Sequence, residues 1–143
     1  MTTAEMKRII ALLFQATNEK DSSLIEPYLA EKLIWHDGCD GTTGADVVFE
    51  WPKQDFLNGN VLGKGCSPKE KTIVMQIAED DKVFTYFTVM LTHKSGDFFG
   101  YPPTGRKIRY NAQYTARFED NLIVEVWATA DGHVALKQMG ILD

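Results

Sequence analysis

The segment EVWATADGHVALKQMG, residues 125–140, places a single carboxylate, Asp131, directly after an apolar stretch that contains Trp127. An aspartate in front of a short helix is a preferred N-cap, because its side chain accepts hydrogen bonds from the first backbone N–H groups of the helix. A carboxylate that opens into an apolar cavity has a raised pKa and can act as a general base. The two roles are compatible, so Asp131 is predicted both as a helix cap and as an acid/base residue.

The histidines offer a second kind of chemistry, since an imidazole can polarise a carbonyl group. His36 and His93 each follow a strand-like run, where a buried, hydrogen-bonded histidine is an equally ordinary outcome. No histidine shares a metal-binding spacing with a second histidine or a carboxylate on one element, so no metal site is predicted. The chain has no GxSxG motif and no Gly-rich phosphate loop, which argues against a serine hydrolase and against nucleotide chemistry.

Composition restricts the class of protein. The chain has 143 residues, enough for one domain, and a hydrophobic content of 44% that is typical of a folded protein. The net charge of −5 comes without a basic stripe, so nucleic acid is not an expected partner. The sequence contains no apolar run of membrane-spanning length and no signal-peptide core, and we expect a cytoplasmic protein without membrane contact. Cys39 and Cys66 are isolated and are interpreted as free thiols.

The first half of the chain carries helical patterns. Apolar residues recur every three or four positions over residues 3–20, with Thr2 or Thr3 as a cap. Asp21 begins a second, short helix that tolerates an early proline, and residues 32–36 form a brief strand. A third helix is predicted from Thr42 or Thr43, ended or kinked by Pro52, followed by an exposed loop over residues 58–70.

The second half changes period. Residues 72–78, 82–93, 106–118 and 122–130 are rich in Val, Ile, Thr, Tyr and Phe and are separated by turn signals, which predicts antiparallel hairpins. A short helix over residues 132–139 ends at Gly140. Helices followed by a meander of strands indicate an α+β domain, with the helices on one face of a curved sheet.

The third long strand alternates between two kinds of side chain. One parity includes Tyr110 and Tyr114, whereas the other includes Arg109 and Asn111. The polar parity is consistent with a solvated face, with a dimer contact, or with groups that orient a ligand in a cavity. Periodicity alone does not choose between these three uses.

Three segments, THKSGDFFGYPPTGRKI, EVWATAD and ALKQMGIL, together resemble the SnoaL-like polyketide cyclases (ester cyclases) of the NTF2-like superfamily. The resemblance covers essentially all of residues 1–143. It implies a single α+β domain, an NTF2-like cone in which N-terminal helices pack on a curved mixed or antiparallel β-sheet around an enclosed hydrophobic pocket. It also implies a homodimer.

The same resemblance implies an activity and a set of site residues. Asp131 matches the aspartate that acts as acid and base in an intramolecular aldol ring closure, with no metal or cofactor, on a small hydrophobic keto or polyketide-like compound. His93 and His36 are the expected hydrogen-bond donors to the enolate. The expected pocket residues are Trp127, Tyr110, Phe99, Phe14, Asn111 and Arg109.

Two other functions stay open at this point. Because no second catalytic signature is present, the chain could instead be a non-catalytic ligand-binding or dimerisation module of the same fold. An epoxide hydrolase of the superfamily ranks last, since its Asp-Arg-Asp arrangement would need a carboxylate two residues after Arg109, where this chain has Asn111.

Overall fold

A computed structural model describes residues 1–38 and 47–143 of the chain. Helices and strands follow in the order α1 (Thr3–Glu19), β1 (Leu29–Asp37), β2 (Val47–Pro52), α2 (Lys53–Phe56), β3 (Glu70–Glu79), β4 (Lys82–Thr92), β5 (Lys107–Glu119), β6 (Leu122–Ala130) and α3 (Gly132–Gln138). The strands form one curved, open sheet in the order β2-β1-β6-β5-β4-β3. All neighbours are antiparallel except β1 and β6, which are parallel.

Helix α1 confirms the predicted amphipathic helix. Thr2 is its N-cap, and the side chains of Thr2 and Glu5 each accept a hydrogen bond from the other residue's backbone N–H. The apolar stripe is buried against β3 and β4: Met6, Ile9, Ile10, Leu13, Phe14 and Ala16. After α1, Asp21 caps the first of two 3₁₀ turns, Ser22–Leu24 and Glu26–Tyr28, in place of the single short helix that was expected.

The predicted antiparallel hairpins of the second half are confirmed as strands β3 to β6. On β5 the apolar parity, which includes Tyr110 and Tyr114, is buried and faces α1 and the core. The polar parity, which includes Arg109 and Asn111, is exposed on the opposite side. We call these the inner and outer faces of the sheet.

The third predicted helix is wrong over residues 47–52, which form strand β2. This segment pairs antiparallel with β1, and the Trp35 and Trp51 rings meet edge-on with centroids 5.1 Å apart. Cross-strand aromatic contact therefore outweighs the local helical pattern. Pro52 ends the strand and precedes α2, while the predicted caps Thr42 and Thr43 lie outside the described residues.

The predicted loop over residues 58–70 is partly helical. Leu57–Val61 form a π-helical turn that continues α2 and buries Leu57 and Val61 in the core. This turn covers one side of the inner face of the sheet and so supplies a wall of the site described below. Cys66, in the remaining loop, is a free thiol, and Cys39 lies outside the described residues.

The predicted C-terminal helix is present as α3, and Gly140 follows it with a φ of 80°, a left-handed conformation that suits glycine. Gln138 fixes this helix to the sheet. Its side-chain amide accepts from the backbone N–H of Arg109 at 2.6 Å and donates to the Arg109 carbonyl at 2.8 Å, so that it extends the β-ladder beyond the end of β6. Within the described ranges, no helix has the length and apolar character needed to cross a membrane.

Candidate functional site

A cavity of about 260 Å³ lies between the inner face of the sheet and the turn Leu57–Val61. We call it the inner cavity. Three alanines, Ala112, Ala128 and Ala130, lie in the neighbouring strands β5 and β6 where larger side chains would fill the space. Aromatic rings surround them: Trp35, Phe49, Trp51, Phe87, Tyr110 and Tyr114. A concave apolar site of this kind, with a few polar groups, is the usual form of a small-molecule site.

Four of the polar groups of the inner cavity come from separate parts of the chain. Asp37 ends β1, Asn60 belongs to the helical turn, Lys71 is the second residue of β3, and Tyr114 lies in the middle of β5. Asp37 lies two residues after Trp35, so that both side chains are on the inner face. A carboxylate, an amide, an ammonium group and a phenol are thus combined in one aromatic-lined space.

Lys71 is hydrogen-bonded both at its backbone and at its ammonium group. Lys71 is only 7% exposed. The side-chain amide of Asn18 accepts a hydrogen bond from the Lys71 backbone N–H and donates one to the Lys71 backbone C=O, each at 2.7 Å. The ammonium nitrogen donates to the Tyr114 hydroxyl oxygen at 3.3 Å and lies 5.5 and 5.9 Å from the ring centroids of Tyr114 and Phe87. These ring contacts favour a cation in this position.

The Tyr114 hydroxyl is a candidate donor to a bound ligand. Its oxygen accepts from Lys71 Nζ and from Asn60 Nδ2, each at 3.3 Å. A phenol oxygen has two acceptor positions and one proton, so the proton is directed elsewhere. Asn60 also has a buried oxygen, Oδ1, with no hydrogen-bond partner among the described residues.

Lys69 is the second ammonium group of the inner cavity. It is half-buried, and its nitrogen lies 5.6 Å from the Phe98 ring centroid. Burial and, next, the charge of Lys71 lower the pKa of Lys69 below its ordinary value. Lys69 also borders a larger, shallower groove of about 820 Å³, which we call the edge groove. The edge groove includes Arg109 and Gln138, and no aromatic ring of the described residues lines it.

Asp131 caps α3, as predicted: its Oδ1 accepts from the Val134 N–H at 3.2 Å. Its side chain is exposed and lies in a third depression, of about 310 Å³, on the outer face. This outer groove also contains Asn111, Tyr86 and Gln113. Asp131 is not among the described residues that line the inner cavity. Its acid/base role stays a prediction, and the structure places it on the other side of the sheet from Asp37.

His36 lies on the outer face, next to Trp127. The two rings stack with centroids 4.8 Å apart, and His36 Nε2 lies 2.7 Å from a Glu125 carboxylate oxygen. The other oxygen of Glu125 accepts from Arg117 Nε at 2.9 Å. Burial acts to raise the pKa of Glu125, but the hydrogen bonds from His36 and Arg117 outweigh it and hold that pKa below its usual value. The Trp127 indole is therefore part of an outer-face network, whereas it was expected as a wall of the pocket.

His93 is buried in the turn after β4, and its role as a donor to substrate stays a prediction. The residue is 0% exposed, and both ring nitrogens are engaged inside the turn between β4 and β5. Nδ1 accepts from the Thr104 backbone N–H at 3.3 Å, which identifies it as the unprotonated nitrogen, and Nε2 donates to the Gly96 carbonyl at 3.0 Å. These bonds connect the two ends of the segment between the strands.

The remaining predicted pocket residues are divided among different places. Tyr110 lines the inner cavity, and its contact with a substrate stays a prediction. Phe14 and Phe99 lie behind its wall, with Phe14 against Phe87 and Tyr114 and Phe99 against Tyr110. Arg109 borders the edge groove, and Asn111 the outer groove.

Apart from Tyr110, the sequence interpretation missed the described lining of the inner cavity, including the polar residues Asp37, Asn60, Lys71 and Tyr114. Two of these four carried a usable signal. Asp37 shares the parity of the buried Trp35, and Tyr114 shares the parity of Tyr110. Asn60 and Lys71 stand in polar surroundings that read as loop and strand end, and only the packing of distant segments brings them inside.

Comparison with known proteins agrees with this architecture. AclR from Streptomyces galilaeus, a proposed hydroxylase, superimposes with a TM-score of 0.77 at 24% identity, covering 99% of this chain and 100% of AclR. IdmH from Streptomyces antibioticus, a proposed polyketide cyclase, gives 0.74 at 26% identity over 94% of this chain and 97% of IdmH. TsrD from Streptomyces laurentii gives 0.78 at 17% identity, covering 99% of each chain. No curated protein matches the sequence.

The family is shown by sequence as well. The sequence model of the SnoaL-like polyketide cyclases matches residues 7–139, from the first turns of α1 to the residue after α3. That span contains every element of the sheet and every described residue of the inner cavity. The chain belongs to the SnoaL-like polyketide cyclase family.

Proposed function

We propose that this chain is a cofactor-independent cyclase or isomerase that transfers a proton on a small, largely apolar keto compound held in the inner cavity. The observation that carries the proposal is the presence of a carboxylate, Asp37, and a tyrosine hydroxyl, Tyr114, in one aromatic-lined space. Acid/base chemistry next to a carbonyl needs these two groups, a base for the proton and a donor for the developing negative charge. Membership of a cyclase family supports the same class of reaction.

The reaction follows from the roles of these groups. The Asp37 carboxylate removes a proton from the carbon next to a ketone, and the electrons of that C–H bond form an enolate. The enolate oxygen accepts the Tyr114 proton as a hydrogen bond, while Lys71 donates to the Tyr114 oxygen and makes the phenol a stronger donor. The enolate carbon then bonds a second carbonyl carbon of the same molecule, and protonated Asp37 returns its proton to the new alkoxide. The product is a ring with a hydroxyl group, an isomer of the substrate.

Asp131 is the alternative candidate for the general base of the same reaction. Its position in the sequence matches the family's acid/base aspartate, whereas its side chain borders the outer groove. Asparagine is a good N-cap, so Asp131→Asn keeps the cap and removes only the charge. If Asp37 is the base, Asp37→Asn loses activity and Asp131→Asn keeps it. If Asp131 is the base, the reverse is expected.

The test is the exchange of α-protons for deuterium in one-ring and two-ring aryl ketones, followed by NMR in D₂O. We expect exchange with the wild type and with Asp131→Asn, and loss of exchange with Asp37→Asn. Loss in Asp131→Asn alone would transfer the base to the outer groove and contradict the proposed site. Saturable binding, read from the fluorescence of Trp35 and Trp51 in the cavity wall, without exchange of any ketone would favour the non-catalytic binding module.

A further inference from the structure

The inner cavity contains more positive charge than the proposed proton transfer requires. Its described charged residues are Lys69, Lys71 and Asp37, which leaves one positive charge in excess. Among residues 1–38 and 47–143, no carboxylate oxygen lies within 4.0 Å of either lysine nitrogen. Burial of an ammonium group without a paired opposite charge is costly, so an anionic ligand would stabilise the two lysines of the described lining.

The excess positive charge is located most clearly at the ammonium group of Lys71. More than nine-tenths of the residue is buried, and its ammonium group has three N–H donors. One of them bonds the neutral Tyr114 oxygen, and the aromatic rings of Phe87 and Tyr114 supply only their faces. A further acceptor carrying a full negative charge would give this ammonium group the partner that no described side chain provides.

Lys69 lies two residues away, and both side chains reach the same cavity. The two positive charges repel each other, which contributes to the lowered pKa of Lys69 after the larger effect of burial. An anion between the two nitrogens would offset that repulsion and favour the charged form of Lys69.

We propose that the substrate of the inner cavity is a small keto acid whose carboxylate is bound by Lys69 and Lys71. This inference takes its site from the proposed function and adds the substrate class. A carboxylate, with one negative charge, balances the single excess positive charge of the described lining, whereas a phosphate dianion would exceed it. The volume of about 260 Å³ suits a ligand of one or two rings.

The experiment compares one ligand in two charge states. The probes are 4-oxo-4-phenylbutanoate and its methyl ester, titrated against the wild type with Trp35 and Trp51 fluorescence as the signal. We expect the acid to bind at least tenfold more tightly than the ester, a difference of about 1.4 kcal/mol. Lys69→Met should weaken binding of the acid about tenfold and leave binding of the ester unchanged, and Lys71→Met should also weaken binding of the acid about tenfold.

Lys64→Met serves as the matched control, because Lys64 is an exposed lysine of the same loop and is outside the described cavity lining. If Lys71→Met does not fold, Lys69→Met and the acid-to-ester ratio of the wild type still decide the question. The inference is overturned if acid and ester bind equally or if the acid does not bind. It is also overturned if inorganic phosphate displaces the bound acid at a lower concentration than added keto acid does.

The outcomes for the two proposals can be separated. Neutral ketones that exchange α-protons in an Asp37-dependent way, together with equal binding of acid and ester, would keep the proposed function and remove the carboxylate site. Lysine-dependent binding of the acid without exchange of any ketone would keep the carboxylate site and remove the proposed function.

Discussion

Tyr114→Phe removes one oxygen atom from the centre of the inner cavity. The ring itself is retained, so its edge contacts with Phe14, Trp35 and Phe87 persist and no large cavity is created. The Lys71 ammonium loses its only hydrogen-bond acceptor among the described residues, and Asn60 loses an acceptor for its amide. The variant therefore tests the polar cluster separately from the packing.

The expected loss of stability follows from those two bonds. A hydrogen bond from a charged donor contributes about 1.5–3 kcal/mol and one from a neutral donor about 0.5–1.5 kcal/mol. Both bonds measure 3.3 Å, longer than the usual optimum of about 3.0 Å, so the lower ends of these ranges apply. We expect the free energy of unfolding to fall by about 2 kcal/mol.

The effect on catalysis should be larger and of a different kind. Loss of one donor to a developing oxyanion typically lowers kcat by about 10²-fold or more, with little change in KM. Urea unfolding followed by circular dichroism measures the first effect, and α-proton exchange under saturating ketone measures the second. Tyr86→Phe, on the outer face, is the control.

Two results would refute the reasoning about Tyr114. An unfolding free energy within about 0.5 kcal/mol of wild type would show that the two bonds contribute nothing measurable. Unchanged kcat in a folded variant would show that Tyr114 does not donate to the enolate, whatever its effect on stability.

Three further predictions concern the outer network, the turn after β4 and the cavity volume. Glu125→Gln should lower the free energy of unfolding by about 2 kcal/mol at neutral pH, whereas Glu119→Gln, which removes an exposed partner of Arg117, should change it by less than about 0.5 kcal/mol. Because the folded pKa of Glu125 is lowered, its contribution is complete above the unfolded value of about 4.3 and is lost as the pH falls through the folded pKa, so urea unfolding should no longer distinguish Glu125→Gln from wild type in acid. His93→Leu should cost about 1–3 kcal/mol by leaving the partly buried Thr104 N–H and Gly96 carbonyl without their partner, yet the folded variant should keep its exchange rate, and a lost rate would return His93 to the catalytic site. Ala112→Leu should abolish binding of the keto acid in titrations at a stability cost of about 1–3 kcal/mol, and retained affinity would place the ligand elsewhere.

The elements that could be predicted are those whose pattern is local. The apolar spacing of α1, the turn signals of the β3–β6 meander and the Asp131 cap all depend on residues a few positions apart. Strand β2 could not be predicted in this way, because Phe49 and Trp51 are stabilised by pairing with β1 and by the ring of Trp35. Tertiary contact therefore decided between helix and strand for this segment.

From the amino-acid sequence alone, the α+β class, the family resemblance and the two-sided character of β5 were determined, since each follows from short-range pattern or motif. Which residues form the site was decided only by the tertiary structure. Asp37, Asn60, Lys71 and Tyr114 come from segments that no local interaction joins, and the parallel pairing of β1 with β6 places Asp37 beside the strand that carries Ala128. The same sheet separates Asp37 on its inner face from Asp131 and His36 on its outer face, because successive side chains of a strand point to opposite sides.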